Sequence, residues 1–595
     1  MDRFWRIAAV VSVVVALAIN VYIAWGSNLS FMYDEIGTVI HGRTVLGLDS
    51  PQLNTPGYYP GWGVLLAPLW LVTSNVFTFY KMAIVVGLVI SMLTIWPLAR
   101  VAVRLSGVTP AQGVVAGAIV MALPPRAIQA DYILSERLVT LLVVVATLVA
   151  FRLWERPTYR GVLLLSLLTA LALFSHARMQ VFVAAVALWL VFFLVRRWQI
   201  ALVGLVATGV LAVLANKAAL WFHAQLVPWK FIQAQGFFEK VSQANPRYWV
   251  DTFAGEAWTQ MIGSFGVVVV GLVVVIGLAW KELRTKQVGP AGFVLIAAGS
   301  MYVLSCLNWG NEYSLFTMEW RRFDYWIYGR YIDPVFAVLV LAGVCAAIQA
   351  VRSRAVLVWT WVIVAGISLV IILVVAPDAP TWAYTTPAHI PGAIPWWWAL
   401  PDGQFPQPGP IPSFTNDNRF WLIATLCALV PLAIWTLLAV VPKIGDRVRS
   451  VVVTALVLVV GTAASATGDV ASDKFHHHFD HATPVVGELR SILAEHPDAV
   501  VAYDEHCPRR PGSKNSERNW LMWWMLPTIV KRQWEWEWGD DIVFSCPNGE
   551  PSFVTGAVML RERPFPLATV WILPGDLLDS LRESGELPEV ARTVK

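Results

Sequence analysis

The chain of 595 residues is 57% hydrophobic and only 14% charged, with 43 Lys and Arg against 39 Asp and Glu. A soluble globular protein carries about a quarter charged residues, so the composition excludes an ordinary soluble domain and points to a polytopic membrane protein. The net charge of +4 is small, and no Lys/Arg-rich or aromatic-interleaved basic stripe supports nucleic-acid binding.

The first apolar run, from Trp5 to about Trp25, is long enough to cross a bilayer. It is too long for a signal-peptide core and no small-residue cleavage site follows it, so it is expected to remain as an anchor. Further apolar segments are expected at 79–99, 110–123, 138–153, 161–175, 179–195, 199–221, 262–280, 290–307, 334–351, 355–376, 420–441 and 450–466. Together they make about thirteen spans. The stretch Trp62–Val72 is apolar but short and follows Pro60 and Gly61; it reads as a helix lying along the interface. Of the 31 Trp residues, many lie near the ends of the apolar runs, where amphipathic rings favour the interface.

Basic residues orient these spans. Arg3 and Arg6, Arg100 and Arg104, Arg152, Arg156 and Arg160, and Arg196 and Arg197 fall in short connections on one side. Lys281, Arg284 and Lys286, Arg352 and Arg354, and Lys443, Arg447 and Arg449 fall on that same side. The positive-inside rule makes this side the cytoplasm. A multi-pass protein of the cell membrane follows, with a cytoplasmic N-terminus and an extracytoplasmic C-terminus. The longer loops, at 27–78, 124–137, 222–261, 308–333 and 377–419, then lie outside.

The chain divides into a transmembrane domain, 1–466, and a soluble extracytoplasmic domain, 467–595. In the tail, helix-like stretches near Val485–Glu495, Asn519–Lys531 and Asp576–Glu583 alternate with strand-like ones at Ala499–Tyr503, Asp541–Cys546, Phe553–Leu560 and Thr569–Leu573. That alternation predicts a small α/β domain. Cys306, Cys345 and Cys427 read as small buried hydrophobes. Cys507 and Cys546, in the polar tail, are expected to pair as a disulfide outside the cell.

Polar residues collect on the outer side. The first outer loop holds the carboxylates Asp34 and Glu35, with His41 and Arg43 close behind. Carboxylates at a membrane face are costly unless hydrated, paired or used, and hydrated loop residues remain the plain alternative. Tyr132, Ser135 and Glu136 close a hairpin at the start of a span, where a helix N-terminus favours anions; a simple cap explains Ser135 and Glu136 equally well. The tight turn Ser175-His176-Ala177-Arg178 holds an arginine able to bind a phosphate or to snorkel to headgroups. Arg321, Arg330 and Tyr331 stand in an Arg- and aromatic-rich stretch before a late span. The run Lys474–His481 invites a metal reading, but it lacks a helical His pair backed by Glu. It reads as a linker at the membrane face.

The order of these elements resembles the GT-C membrane glycosyltransferases: an acidic pair in the first outer loop (Tyr33-Asp34-Glu35), a Ser-Glu opening a later span (Leu134-Ser135-Glu136), a short basic turn (His176-Ala177-Arg178) and Arg330-Tyr331 ahead of Pro334. The tail is similar to those of actinobacterial cell-envelope members. The resemblance implies an all-α polytopic fold that transfers sugar from a polyprenyl-phosphate donor to a hydroxyl of a cell-envelope glycan, lipid or protein. It casts Asp34 as general base with Glu35 supporting it, and Arg178 and Arg330 as phosphate ligands. His41, Arg43, Tyr132, Glu136, His176, Arg321 and Tyr331 would line the substrates. The acidic element is Asp-Glu and not the Asp-x-Asp of metal-linked types, so the resemblance implies no definite cofactor and leaves a divalent metal open. The competing reading is a lipid-linked-sugar flippase or other transporter. It predicts ionisable residues near the middle of the spans, whereas here the spans are nearly free of charge.

Overall fold

The computed structural model describes residues 2–29, 33–51, 59–226, 242, 245–310, 323–379, 386–399, 418–441, 443–480, 484–504, 521–533, 541–545, 556–560 and 569–587. The membrane domain is built from α1 (Asp2–Trp25), α2 (Tyr33–Val39), α3 (His41–Val45), α4 (Gly61–Leu66), α5 (Val76–Ser106), α6 (Pro110–Ala122), α7 (Pro124–Ala127), α8 (Glu136–Glu155), α9 (Tyr159–Ser175) and α10 (Met179–Leu226). It continues through α11 (Pro246–Gly263), α12 (Val267–Arg284), α13 (Pro290–Trp309), α14 (Asp333–Ile348), α15 (Arg354–Val370), α16 (Asn418–Val440) and α17 (Asp446–Asp480).

The thirteen expected apolar segments fall on described helices, except that 262–280 runs across the bend between α11 and α12. Among the described residues, eight helices are long and apolar enough to cross a membrane, or ten when two bent pairs are each taken as one span. The difference from thirteen has identifiable causes. Two helices, Tyr159–Ser175 and Asp333–Ile348, are shorter than a full span, and α10 joins two expected segments across a non-helical break at Arg197 (φ −151°, ψ 76°). The bent pairs are α6 with Pro124–Asp131, at 68°, and α11 with α12, at 107°. Pro124 and Pro125 account for the first bend, since a proline removes an amide donor and restricts the residue before it. Cys306 and Cys345 are buried as expected, whereas Cys427 lies on an exposed face of α16, where lipid suits a small apolar thiol as well as a protein core does.

Several basic helix ends meet neighbouring helix ends. Arg104 pairs with Glu155 at 3.3 Å, and Arg196 donates to the Trp154 carbonyl at 3.1 Å. Arg352 pairs with Asp446, and the Arg447 guanidinium lies over the Phe4 ring at 5.7 Å. Thr109, Thr158 and Ser353 cap the helices that start there, each accepting a backbone amide, which supplies partners the first turn otherwise lacks.

Close helix packing fixes α14, the helix that follows Arg330. A Cβ added to Gly271 of α12 would lie 1.8 Å from the Leu339 carbonyl oxygen, and one on Gly343 would lie 2.1 Å from that of Val267. Small residues allow this approach where no hydrophobic force drives helices together within lipid. Gly271→Ala should therefore cost about 1–3 kcal/mol through overpacking, read as a lower melting temperature in detergent. Gly277→Ala, a position with nothing within 4 Å, should leave it unchanged.

The tail carries α18 (Pro484–Glu495), α19 (Asp576–Ser584) and a five-stranded sheet of β1 (Val501–Asp504), β2 (Lys531–Gln533), β3 (Ile542–Ser545), β4 (Val558–Met559) and β5 (Thr569–Ile572). The strand order is β2-β1-β3-β5-β4; β1 pairs in parallel with β2 and β3, and β5 pairs antiparallel with β3 and β4. The α/β tail is thus observed, with one difference: the helix expected over Asn519–Lys531 stops early, and Lys531 opens a strand. The α17 helix runs on through residue 467, so the tail leaves the membrane domain on a continuous helix. Trp523 and Trp524 are fully buried, with Trp523 edge-on to Trp70 and Phe79, and Arg490 lies 4.9 Å over the Phe77 ring. The sheet domain therefore sits on the N-terminal end of α5.

Candidate active site

The hairpin between α6 and α8 is where polar groups enter the protein. Every residue from Pro124 to Arg137 is buried, so its backbone and side chains must find partners inside the protein. Arg126 donates to the Asp333 carbonyl at 2.7 Å, Gln129 to the Ala388 carbonyl at 2.9 Å, and the Trp62 indole to the Ile133 carbonyl at 2.5 Å. The Ile133 amide donates to Glu35 Oε1 at 2.6 Å, and the Tyr80 hydroxyl reaches the same oxygen at 3.2 Å. Glu35, 1% exposed, thus ties the acidic helix α2 to the hairpin.

The end of that hairpin joins residues from four distant parts of the chain. Glu136 Oε1 accepts from Arg330 Nε at 2.6 Å and from Arg178 Nη2 at 3.1 Å. Arg330 Nη1 donates to Asp34 Oδ2. Two carboxylates and two guanidinium groups therefore form one chain, Asp34–Arg330–Glu136–Arg178. Arg330 and Arg178 side chains are each 2% exposed and that of Glu136 4%, whereas Asp34 keeps 19%. Asp34 is the member of the chain most open to a substrate.

Aromatic groups and a neutral imidazole complete the wall. The Arg178 guanidinium lies 4.9 Å from the Tyr331 ring centre, and His176 meets the same ring edge-on at 5.9 Å. Burial, reinforced by the adjacent Arg178 charge, holds His176 well below its ordinary value, so its ring is neutral near pH 7. His176 Nδ1 accepts the Arg178 amide at 3.3 Å, which fixes the turn. Burial opposes the charge of Arg330, but Glu136 beside it outweighs that and holds the guanidinium above its usual range. Arg178 Nε and Nη1, both buried, have no hydrogen-bond partner among the described residues. Donors left over in a buried cationic pocket suit an anion with several acceptor oxygens.

Of the residues expected from the sequence, Asp34, Glu136, His176, Arg178, Arg330 and Tyr331 come together. Others take different positions. Arg43 donates to the Asp49 carbonyl at 2.8 Å and stacks on Trp70 at 4.9 Å, and His41 packs edge-on against Phe222. The Tyr132 hydroxyl bonds Ser472 Oγ at 2.7 Å, so this side chain faces α17 and not the guanidinium groups. Arg321, Cys507 and Cys546 lie outside the described residues. His476, expected in a linker, is a buried residue of α17, with Nε2 3.1 Å from Asp131 Oδ2. Asp131 itself, absent from the expected set, is fully buried.

No family model matches the chain, and no curated protein matches it. In structure the chain is similar to ArnT from Cupriavidus metallidurans bound to undecaprenyl phosphate. The TM-score is 0.53 at 14% identity, over 96% of this chain and 98% of that one. The apo state of the same protein gives 0.54 at 14% identity with the same coverage. The archaeal oligosaccharyltransferase AglB from Archaeoglobus fulgidus, in complex with an inhibitory peptide and a dolichol-phosphate, gives 0.40 at 9% identity, over 97% of this chain and 77% of that one. At such identities the likeness is one of fold, and it spans both the membrane helices and the tail. The chain has the polytopic fold of the GT-C membrane glycosyltransferases.

Proposed function

We propose that the protein transfers a sugar from a polyprenyl-phosphate donor to a hydroxyl group of a cell-envelope acceptor, on the outer face of the membrane. The observation that carries this reading is the buried Asp34–Arg330–Glu136–Arg178 chain, which ends in unmatched Arg178 donors. The likeness to ArnT, whose structure holds undecaprenyl phosphate, supports a lipid phosphate as the anion.

In this reading Arg178 and Arg330 bind the donor phosphate, with the Tyr331 face against it. The acceptor oxygen attacks the anomeric carbon while the bond from that carbon to the phosphate oxygen breaks. Asp34 takes the acceptor proton, and the guanidinium groups stabilise the departing phosphate. A phosphate leaves readily, so one partly exposed carboxylate suffices and no general acid is needed. Arg330 holds Asp34 before the donor arrives; sharing Arg330 with the phosphate frees the carboxylate for the acceptor. Glu35 acts as a positioning residue, since its oxygen is engaged by Ile133 and Tyr80.

Vesicles containing the purified protein, given radiolabelled polyprenyl-phosphate sugars and an envelope extract, should move label to the extract. Label that crosses the bilayer without transfer would overturn the proposal in favour of a flippase. Arg178→Ala should raise the donor KM and also lower kcat, because this guanidinium both binds the phosphate and stabilises it as it departs. An unchanged donor KM would remove Arg178 from the phosphate site.

A further inference from the structure

A second polar cluster lies between the outer-loop end of α1, the hairpin and α17, and the proposed transfer reaction does not use it. On α17, Asp469, Ser472, Asp473 and His476 stand at i, i+3, i+4 and i+7 and share one face. That face meets Asp131. Asp131 Oδ1 accepts from Ser27 Oγ at 2.6 Å, and Oδ2 accepts from Ser472 Oγ and lies 3.1 Å from His476 Nε2. Asp131, Asp469 and Asp473 each present a carboxylate oxygen, and the three atoms lie within 4.8 Å of one another.

The neighbouring groups do not account for this arrangement. Lys81 donates to the Ser27 carbonyl, and His476 Nδ1 is engaged with the Asn28 carbonyl at 2.9 Å. Even with both charged, and with the Arg137 guanidinium that also feels Asp131, the carboxylates of Asp131, Asp469, Asp473 and the nearby Glu35 outnumber the cations. Asp469 is only 3% exposed, yet its Oδ1 has no hydrogen-bond partner among the described residues, and neither does Asp473 Oδ1. A buried carboxylate oxygen without a donor is expensive. Gly26 makes the approach of Asp473 feasible, since a Cβ there would stand 2.2 Å from Asp473 Oδ1.

We propose that Asp131, Asp469 and Asp473 bind a divalent, oxygen-preferring cation, Ca²⁺ being the best match. The donors are carboxylate oxygens, which favour a hard ion over zinc or copper. A Ca²⁺ shell with ligands at about 2.3–2.6 Å accommodates oxygens up to about 5 Å apart, which covers the separation found here. The ion is structural, not catalytic. It ties the end of α17, which leads to the sheet domain, to the hairpin that supplies Glu136 and the Ile133 amide.

The test uses the full-length protein in detergent, stripped with EDTA, and two readouts: ⁴⁵Ca²⁺ binding and thermal unfolding followed by Trp fluorescence. Wild type should bind about one Ca²⁺ per chain with a melting temperature at least about 3 °C higher in saturating CaCl₂. Asp469→Asn and Asp473→Asn should both lose that binding and that shift. Their melting temperatures without Ca²⁺ should match or exceed that of stripped wild type, because like-charge repulsion is relieved. Asp34→Asn should bind Ca²⁺ as wild type does. Absence of ⁴⁵Ca²⁺ binding by wild type would overturn the proposal, as would unchanged binding in both α17 variants or loss of binding in Asp34→Asn. Since neither readout measures sugar transfer, the outcome stands apart from the proposed enzymatic activity.

Discussion

Asp34→Asn should lower the turnover of sugar transfer by about 10³-fold, the middle of the range for loss of a general base. The donor KM should stay within about threefold, because the asparagine removes a proton acceptor and not a phosphate ligand. The fold should survive. The substituted amide keeps a carbonyl oxygen able to accept from Arg330 Nη1, the contact Asp34 makes now, and the side chain is 19% exposed. A partly exposed position of this kind carries a smaller desolvation cost than the fully enclosed Glu136. Removing the charge also leaves Arg330 less neutralised, so a polyprenyl phosphate should bind at least as tightly as in wild type. Label transfer from a purified donor, measured at several donor concentrations, separates the two parameters. Retained turnover in Asp34→Asn would remove Asp34 as the base, and a large rise in KM alone would recast it as a donor-binding group.

How much of this site the sequence discloses depends on how local the signal is. The helices are legible because an apolar run of sufficient length has few other uses, and the shared side of the basic clusters follows from charge alone. Arg178 stands out as an arginine on the side poor in basic residues, and Arg330 as part of Gly329-Arg330-Tyr331 ahead of α14. Asp131 gives no such signal. One aspartate in a hairpin looks hydrated, and only the fold brings it to Ser27 and to Ser472, 341 residues away. His476 is legible in part: the spacing of Asp469, Ser472, Asp473 and His476 is helical, but the histidine run that follows makes the stretch look like a linker. Tyr132 shows the limit of sequence proximity. It precedes Glu136 by four residues, yet its hydroxyl turns to α17, where it meets the same Ser472 that bonds Asp131. Strand β2 is three residues long, too short to show an alternating pattern, and its pairing with β1 depends on contacts across the fold.

Glu136→Gln should destabilise the protein more than any single change proposed above. Its Oε1 is the sole carboxylate oxygen bridging Arg178 and Arg330 among the described residues, and all three side chains are at most 4% exposed. Removing one member of a buried ionic set costs about 3–5 kcal/mol, because the partners keep their charge without its compensation. The melting temperature without ligand should therefore fall by several degrees. A lipid phosphate entering the site would replace the missing negative charge. Polyprenyl phosphate should then raise the melting temperature of Glu136→Gln by more than it raises that of wild type, while turnover falls because both guanidinium groups lose the oxygen that aims them. Replacing Glu136 and Arg178 together, as Glu136→Leu with Arg178→Met, should recover much of the stability, as apolar substitution of a buried pair commonly does, but should abolish the ligand-induced rise. A Glu136→Gln protein that is destabilised yet gains no more than wild type from polyprenyl phosphate would mean that the cluster holds the helices together without receiving the donor. Equal stabilisation in the double variant would place the phosphate elsewhere. The separation between these results rests on charge: a packing role for Glu136 is indifferent to an added anion, whereas a phosphate site deprived of its carboxylate is not.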